Sequence, residues 1–401
     1  MVKSIDENYK SGIILKPMQF FILGLVYYFY IPPFSLYVFS DILHIRIAMV
    51  WINQAMYDYA YYADGLIIIA SWALGDYLGK KFTKPKHTII DTLADKDAYG
   101  FYLVLLMGGL AVLFTAIAIA SGAQFFTGYE DYDVLVLGPY ATLAFTTVML
   151  RGFFIDPKIR MGFTIVFIAS AVILLGLGSR MLVLLATINM GLDYIYNNKI
   201  KLKSIIILLV GSFLTVLTML YVGVVRDGGS VGFETLFGVL LAEPTFTSIS
   251  SVLYFEMYDG RPIFAVPKDL IAAFVNFIPS VIFPGKIEVL DAMIHNYGNN
   301  PFGASALLFN LYANFGYFYP IFLIIIAFHY ARLYVLSKSS ILYKSIYFAT
   351  LPLLLFYIQR EGLVTVIKVL VFNSYAFPLI LFSLLYLLKF LRPLQSSVKQ
   401  T

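Results

Sequence analysis

The chain has no cysteine, four histidines, two tryptophans and few charges: Asp, Glu, Lys and Arg make up 13% of its 401 residues. Without cysteine there is no disulfide, no thiolate nucleophile and no cysteine metal site. The histidines (His44, His87, His295 and His329) are too scattered to form a metal-ligand spacing, so no metal is expected. There is no P-loop, no GxSxG, no HExxH and no DxD-type metal motif in a soluble domain. That argues against nucleotide-driven chemistry, serine hydrolysis and metal-assisted glycosyl transfer, and no cofactor is expected.

Apolar residues are what the chain does have. Hydrophobic residues make up 60% of it and the mean hydropathy is +0.84. A soluble protein uses about a quarter charged residues and could not hide this much apolar surface. Apolar stretches of about 17–25 residues recur between short charged loops, the pattern of transmembrane helices. The chain reads as an all-α, polytopic integral membrane protein.

Ten spans are expected, near 17–39, 59–79, 98–121, 134–150, 161–178, 180–197, 204–225, 304–336, 345–360 and 363–391. The eighth is long, with Asn314, Gly316 and Pro320 marking a break. The first follows three lysines and precedes no small-residue cleavage site, so it reads as a retained span rather than a cleaved signal peptide. These spans divide the chain into N-terminal helices (1–225), one large loop (226–303) and C-terminal helices (304–401).

Lysine and arginine set the orientation. With the N-terminus cytoplasmic, 20 of the 28 basic residues fall on cytoplasmic segments. The other eight are Arg46, Arg180, Arg226, Arg261, Lys268, Lys286, Arg360 and Lys368. The bias favours both termini inside and an even number of spans. The pI near 8.9 reflects these loops and is no argument for nucleic acid.

The loop 226–303 lies on the outer side and is too long to be only a connector. Within it, "FETLFGVLLAE", "FTSISSVLYFEM" and "KDLIAAFVNFIPSVIF" carry apolar faces broken by proline and charge. They read as short helices lying at the membrane interface. The 31 Tyr and 36 Phe suit interfacial belts and helix packing. The cluster Tyr57, Tyr59, Tyr61 and Tyr62 could equally supply stacking surfaces for sugars.

Scarce outer cations need a reason. Arg180, in "GLGSR", is the only charge between Arg160 and Asp193 and sits at the turn between two spans. It is either a snorkelling helix cap or a fixed cation aimed at an anion, with Gly176, Gly178 and Ser179 leaving room for a ligand. Arg226 opens the long loop in "VRDGG", and Arg360 lies in "QREG" between two later spans. Three arginines at one level suit a diphosphate, because the planar guanidinium makes bidentate, charge-assisted contacts. Arg261 and Lys286 are secondary loop candidates. The loop's eight acids outnumber its four cations, leaving it at net −4, and most read as solvated. A transferase acting on a hydroxyl needs a base or an acceptor-orienting group. Glu243, which ends an apolar run in "LLAEPTF", and His295, in "DAMIHNYGNNPFG", are the candidates.

Taken together, "GLGSR" (176–180), "VRDGG" (225–229), "NPFGASALLFNLYANFGYFYP" (300–320) and "QREG" (359–362) resemble the bacterial oligosaccharide repeat-unit polymerases, the Wzy-type O-antigen polymerases. The resemblance covers most of the chain as architecture, through short motifs. It implies a GT-C-like membrane glycosyltransferase of ten or more transmembrane helices in the bacterial inner membrane. Such an enzyme takes undecaprenyl-diphosphate-linked oligosaccharide as both donor and acceptor at the periplasmic face, with a chain-length regulator as a further partner. Arg180, Arg226 and Arg360 would then hold diphosphate. A flippase for lipid-linked oligosaccharide and an O-antigen ligase are the alternatives.

Overall fold

The computed structural model describes residues 16–32, 59–86, 96–123, 137–177, 180–197, 268–276, 283–293 and 307–371 as continuous stretches. Isolated positions at 125, 278 and within 206–248 and 375–387 are also described. All regular structure among the described residues is helical. Among the described residues four helices are long and apolar enough to cross a membrane: Tyr99–Ala120, Pro157–Gly176, Asn310–Ser337 and Ile341–Arg360. Pro17–Tyr30 and Val183–Ile195 are shorter apolar helices.

In chain order the helices are α1 (Pro17–Leu25, continued by a π-helical turn Val26–Tyr30), α2 (Tyr59–Phe82), α3 (Lys96–Ala120), α4 (Leu137–Phe153), α5 (Pro157–Gly176) and α6 (Arg180–Asn197). The long loop contributes α7 (Lys268–Asn276) and α8 (Lys286–Met293). The C-terminal part holds α9 (Leu307–Phe315), α10 (Tyr319–Ser337), α11 (Ile341–Thr350), α12 (Tyr357–Arg360) and α13 (Leu363–Val371). Of the expected span 204–225, about half the positions are described, and each of those is helical.

Local chemistry sets several boundaries. Pro157 fills the first turn of α5, where a missing N–H costs nothing. The Asp156 carboxylate caps that turn by accepting from the Lys158 backbone N–H at 2.8 Å. Ser340 caps α11 in the same way, accepting from the Tyr343 N–H at 3.3 Å. The expected break in the eighth span is present. Gly316 has φ +53, which only glycine adopts without strain, and the chain passes through a 3-10 turn before Pro320. A second break falls where none was expected: a 3-10 turn at Leu351–Leu354, carrying Pro352, separates α11 from α12.

The core forms where α1, α2, α10 and α11 meet. Trp72 is fully buried and stacks on Phe21 with ring centroids 3.8 Å apart. Tyr330 packs against Trp72 and donates to the Thr350 carbonyl at 3.0 Å, tying α10 to α11. Helices α2 and α10 run parallel in close contact, because Gly75 and Gly79 present no side chain to Ala327 and Ala331. A Cβ on Gly75 would lie 2.7 Å from that of Ala327, and one on Gly79 2.6 Å from that of Ala331. Small residues four apart on both partners let the backbones approach and gain packing where lipid offers no hydrophobic drive. Outward faces are apolar, as at Leu66, Phe101, Leu105, Val112, Ile165 and Ile168.

The two ends of the bundle differ. Lys80 and Lys338 both lie over the Tyr334 ring, at 5.6 and 4.5 Å, and Lys80 pairs with Asp76. Nearby, Arg151 and Arg160 converge on Asp193, close to the start of α11. This is the basic end, and Arg360 marks the opposite one. Gly79→Leu is expected to wedge α2 from α10 and cost about 1–3 kcal/mol, measurable as a lowered thermal midpoint in detergent. An unchanged midpoint would show that the close approach is not needed.

Candidate functional site

The site is built at the Arg360 end, where chain breaks and loop helices meet. Arg360 is the last residue of α12, and Glu361 after it is extended, at φ −91 and ψ 151. Adjacent residues within a helix cannot face each other. Because the helix stops between these two, Arg360 Nη1 reaches Glu361 Oε1 at 3.4 Å. Both side chains remain 24% exposed, so the pair is open to a ligand.

Beneath this pair, asparagines hold the loop helices to the bundle. On α9, Asn310 and Asn314 lie four apart on one face and are buried. Asn314 Nδ2 donates to Asp269 Oδ2 at 2.7 Å, and Asn314 Oδ1 accepts from the Asp269 backbone N–H at 3.3 Å. Asn310 Oδ1 accepts at 3.4 Å from the Leu363 N–H, an otherwise unpaired donor at the start of α13. Together these contacts pin the N-terminus of α7.

Its C-terminus is held by lysine. Lys286 Nζ donates to the carbonyls of Asn276 and Ile278 at 2.8 and 2.9 Å, the expected place for a cation near a helix C-terminus. Burial pushes the Lys286 ammonium below the usual lysine range. Lys368 of α13 reaches Asn276 Oδ1 at 3.4 Å. Helix α7 buries Ala272 and Ala273 against Val364, with Leu290 and Ile367 packed around them, and leaves Ile271 and Phe274 exposed. A short helix with a docked face and an apolar outer face suits the membrane interface.

Of the candidates read from sequence, the structure places three. Arg360 and Lys286 lie at this end, though two donors of Lys286 are already engaged. Arg180 opens α6, which packs against α11 and the 3-10 turn after it. Near the basic end Asp193 and Ser345 flank the same residue, Gly152. Arg180 precedes Asp193 by thirteen residues of one helix, about 20 Å at 1.5 Å per residue. Fifteen residues separate Ser345 from Arg360, so the start of α6 falls near the level of Arg360. Arg226, Arg261, Glu243 and His295 lie outside the described residues. Flanking Glu243, helical positions 240–241 and 244–245 are described, and the Tyr27 hydroxyl donates to the Leu240 carbonyl at 2.6 Å.

Sequence reasoning missed Asn310 and Asn276, and took Asn314 only as a helix breaker. It also counted Asp269 among solvated loop acids, whereas Asp269 is 2% exposed and tied to Asn314. The signal was present: two asparagines four apart on an apolar helix have to find partners. Among the described residues, no three His, Cys, Asp or Glu side chains converge to hold a metal. Comparison with known proteins adds no name: no family model matches the chain, and no curated protein or solved structure matches it.

Asn314→Leu removes three hydrogen bonds and leaves a buried carboxylate without its amide, costing about 1–3 kcal/mol locally. Hydrogen exchange across 268–276 is expected to rise while exchange in α2 and α10 holds. Equal protection in the variant would show that the asparagine does not anchor α7.

Proposed function

We propose that this chain is a multi-pass glycosyltransferase of the bacterial inner membrane, with both termini cytoplasmic. On this reading it polymerises undecaprenyl-diphosphate-linked repeat units into O-antigen or a related surface polysaccharide at the periplasmic face. The observation that carries this reading is the place of Arg360. A part-open guanidinium ends a broken span away from Lys80 and Lys338, and the helix that follows it, α13, packs against α7 of the long loop.

In the reaction, an acceptor hydroxyl oxygen attacks the donor's anomeric carbon. The bond from that carbon to the diphosphate oxygen breaks, and undecaprenyl diphosphate leaves with the electron pair. Arg180, Arg226 and Arg360 bind the diphosphate and stabilise the charge that grows on it, with Arg261 and Lys286 in support. Glu243 or His295 takes the proton from the acceptor hydroxyl or orients it.

A flippase is the reading from another class. It calls for polar side chains facing a water-filled path through the spans. Here mid-span hydroxyls turn back on their own helices: Ser71 to Ile67, Thr147 to Leu143, Ser170 to Val166, Thr187 to Val183 and Thr350 to Ile346. That favours chemistry at one face over a path between two. An O-antigen ligase shares the donor chemistry and differs in its acceptor, the lipid A core.

Arg180→Ala, Arg226→Ala and Arg360→Ala, each in a complemented cell, are expected to lose long polysaccharide chains and leave the core capped with one repeat. One missing charge-stabilising contact lowers turnover about 10²–10³-fold. Normal ladders at normal expression in all three would sink the diphosphate site. Loss of even the single repeat, with repeats accumulating inside, would indicate a flippase, and free long chains without transfer to the core a ligase.

A further inference from the structure

The polymerase reading leaves the basic end of the bundle without a task, and that end carries an unbalanced charge. Arg151 Nη1 donates to Asp193 Oδ2 at 2.6 Å, and Arg160 Nη2 donates to the same oxygen. Arg151 Nε is also spent, on the Thr164 hydroxyl at 3.0 Å. Among the described residues one carboxylate therefore serves two guanidiniums, and this group of three side chains carries one positive charge in excess. Asp156, at the start of α5, turns its carboxylate to the Lys158 backbone N–H and forms no ion pair with Arg160.

The excess charge lies on the outer side of the group. Asp193 is 3% exposed and Arg151 14%, whereas Arg160 is 26% exposed. Arg160 sits in the first turn of α5, at the level where a span meets headgroups. The next residue, Met161, begins a stripe with Ile165, Ile168 and Val172 along α5. All four are at least half exposed, and their spacing keeps them on one face. An exposed apolar stripe thus runs along α5 from the residue next to a cation that shares its one paired carboxylate with Arg151.

The geometry points to a binding site for an anionic phospholipid: the Arg160 guanidinium holds the headgroup phosphodiester, and the Met161–Val172 stripe takes an acyl chain. Arginine's fork suits a phosphate oxygen pair, and basic pockets between helices on the cytoplasmic side hold anionic headgroups. Asp193 keeps both guanidiniums extended and prevents them from folding back on the helix ends. The site is independent of the polymerase reading.

The test uses purified full-length protein in nanodiscs of phosphatidylcholine, with or without phosphatidylglycerol, read by thermal midpoint and by lipid retained in native mass spectrometry. Wild type is expected to gain stability and retain phosphatidylglycerol. Arg160→Gln leaves Arg151 and Asp193 as a balanced pair, so it folds. Its affinity for phosphatidylglycerol is expected to fall about tenfold or more, the weight of one charge-assisted hydrogen bond to the phosphodiester. Asp193→Asn is expected to widen the difference between the two lipids, because it adds to the excess charge. Lys84→Gln, an exposed cation at the same end, is expected to change nothing. The proposal is overturned if Arg160→Gln keeps the wild-type difference, if Lys84→Gln lowers it equally, or if inorganic phosphate in phosphatidylcholine discs reproduces it.

Discussion

In hydrocarbon an unpaired backbone group costs several kcal/mol, so a membrane chain can leave helical geometry only where protein or water covers the gap. That constraint governs this bundle. Its two breaks inside apolar spans, at Gly316–Phe318 and Leu351–Leu354, both belong to the C-terminal part. At the second break α1 lies on the Leu354 carbonyl: a Cβ on Gly24 would stand 2.6 Å from that oxygen. A neighbouring backbone thus takes the place that lipid cannot fill. The breaks in turn allow α9 and α12 to end where they do, and so set Asn310, Asn314 and Arg360 at one end of the molecule.

The two ends use charge differently. At the basic end cations are matched to rings and carboxylates, and Lys80 and Arg160 are the more exposed members of their ion groups. At the Arg360 end most polar groups are consumed in holding α7 in place. Arg360 and Glu361 pair with each other and are both part-exposed, with the start of α6 at a similar level. A reaction whose catalytic demand is to stabilise charge on a leaving diphosphate needs little more than fixed cations and a dry wall behind them.

Much of the architecture was legible because its causes are local. Hydropathy marked the apolar helices, and Gly316 with Pro320 gave the break before α10, whereas the start of α5 at Asp156-Pro157 was placed four residues late, at 161. The break at Leu351–Leu354 was missed because Pro352 sits in a run whose apolar pattern continues past it. The α2–α10 contact was missed for a different reason. Gly75 and Gly79 are a visible small-residue pair, but their partners lie about 250 positions later and no local pattern joins them. At the site, arginines stand out in an apolar sequence, whereas asparagines look like loop formers until their partners are seen. Asp269 could be recognised as buried only once Asn314 was placed beside it.

The parallel pairing of α2 with α10 bears on how the molecule is assembled. A ribosome adding about 5–20 residues per second delivers α10 some 10–50 s after α2 has entered the membrane. During that interval Gly75 and Gly79 lack the Ala327 and Ala331 they pack on in the finished bundle. The contact between α2 and α10 therefore closes when the C-terminal part arrives. Closure and construction of the Arg360 end then become one event, so a chain halted before α10 carries neither.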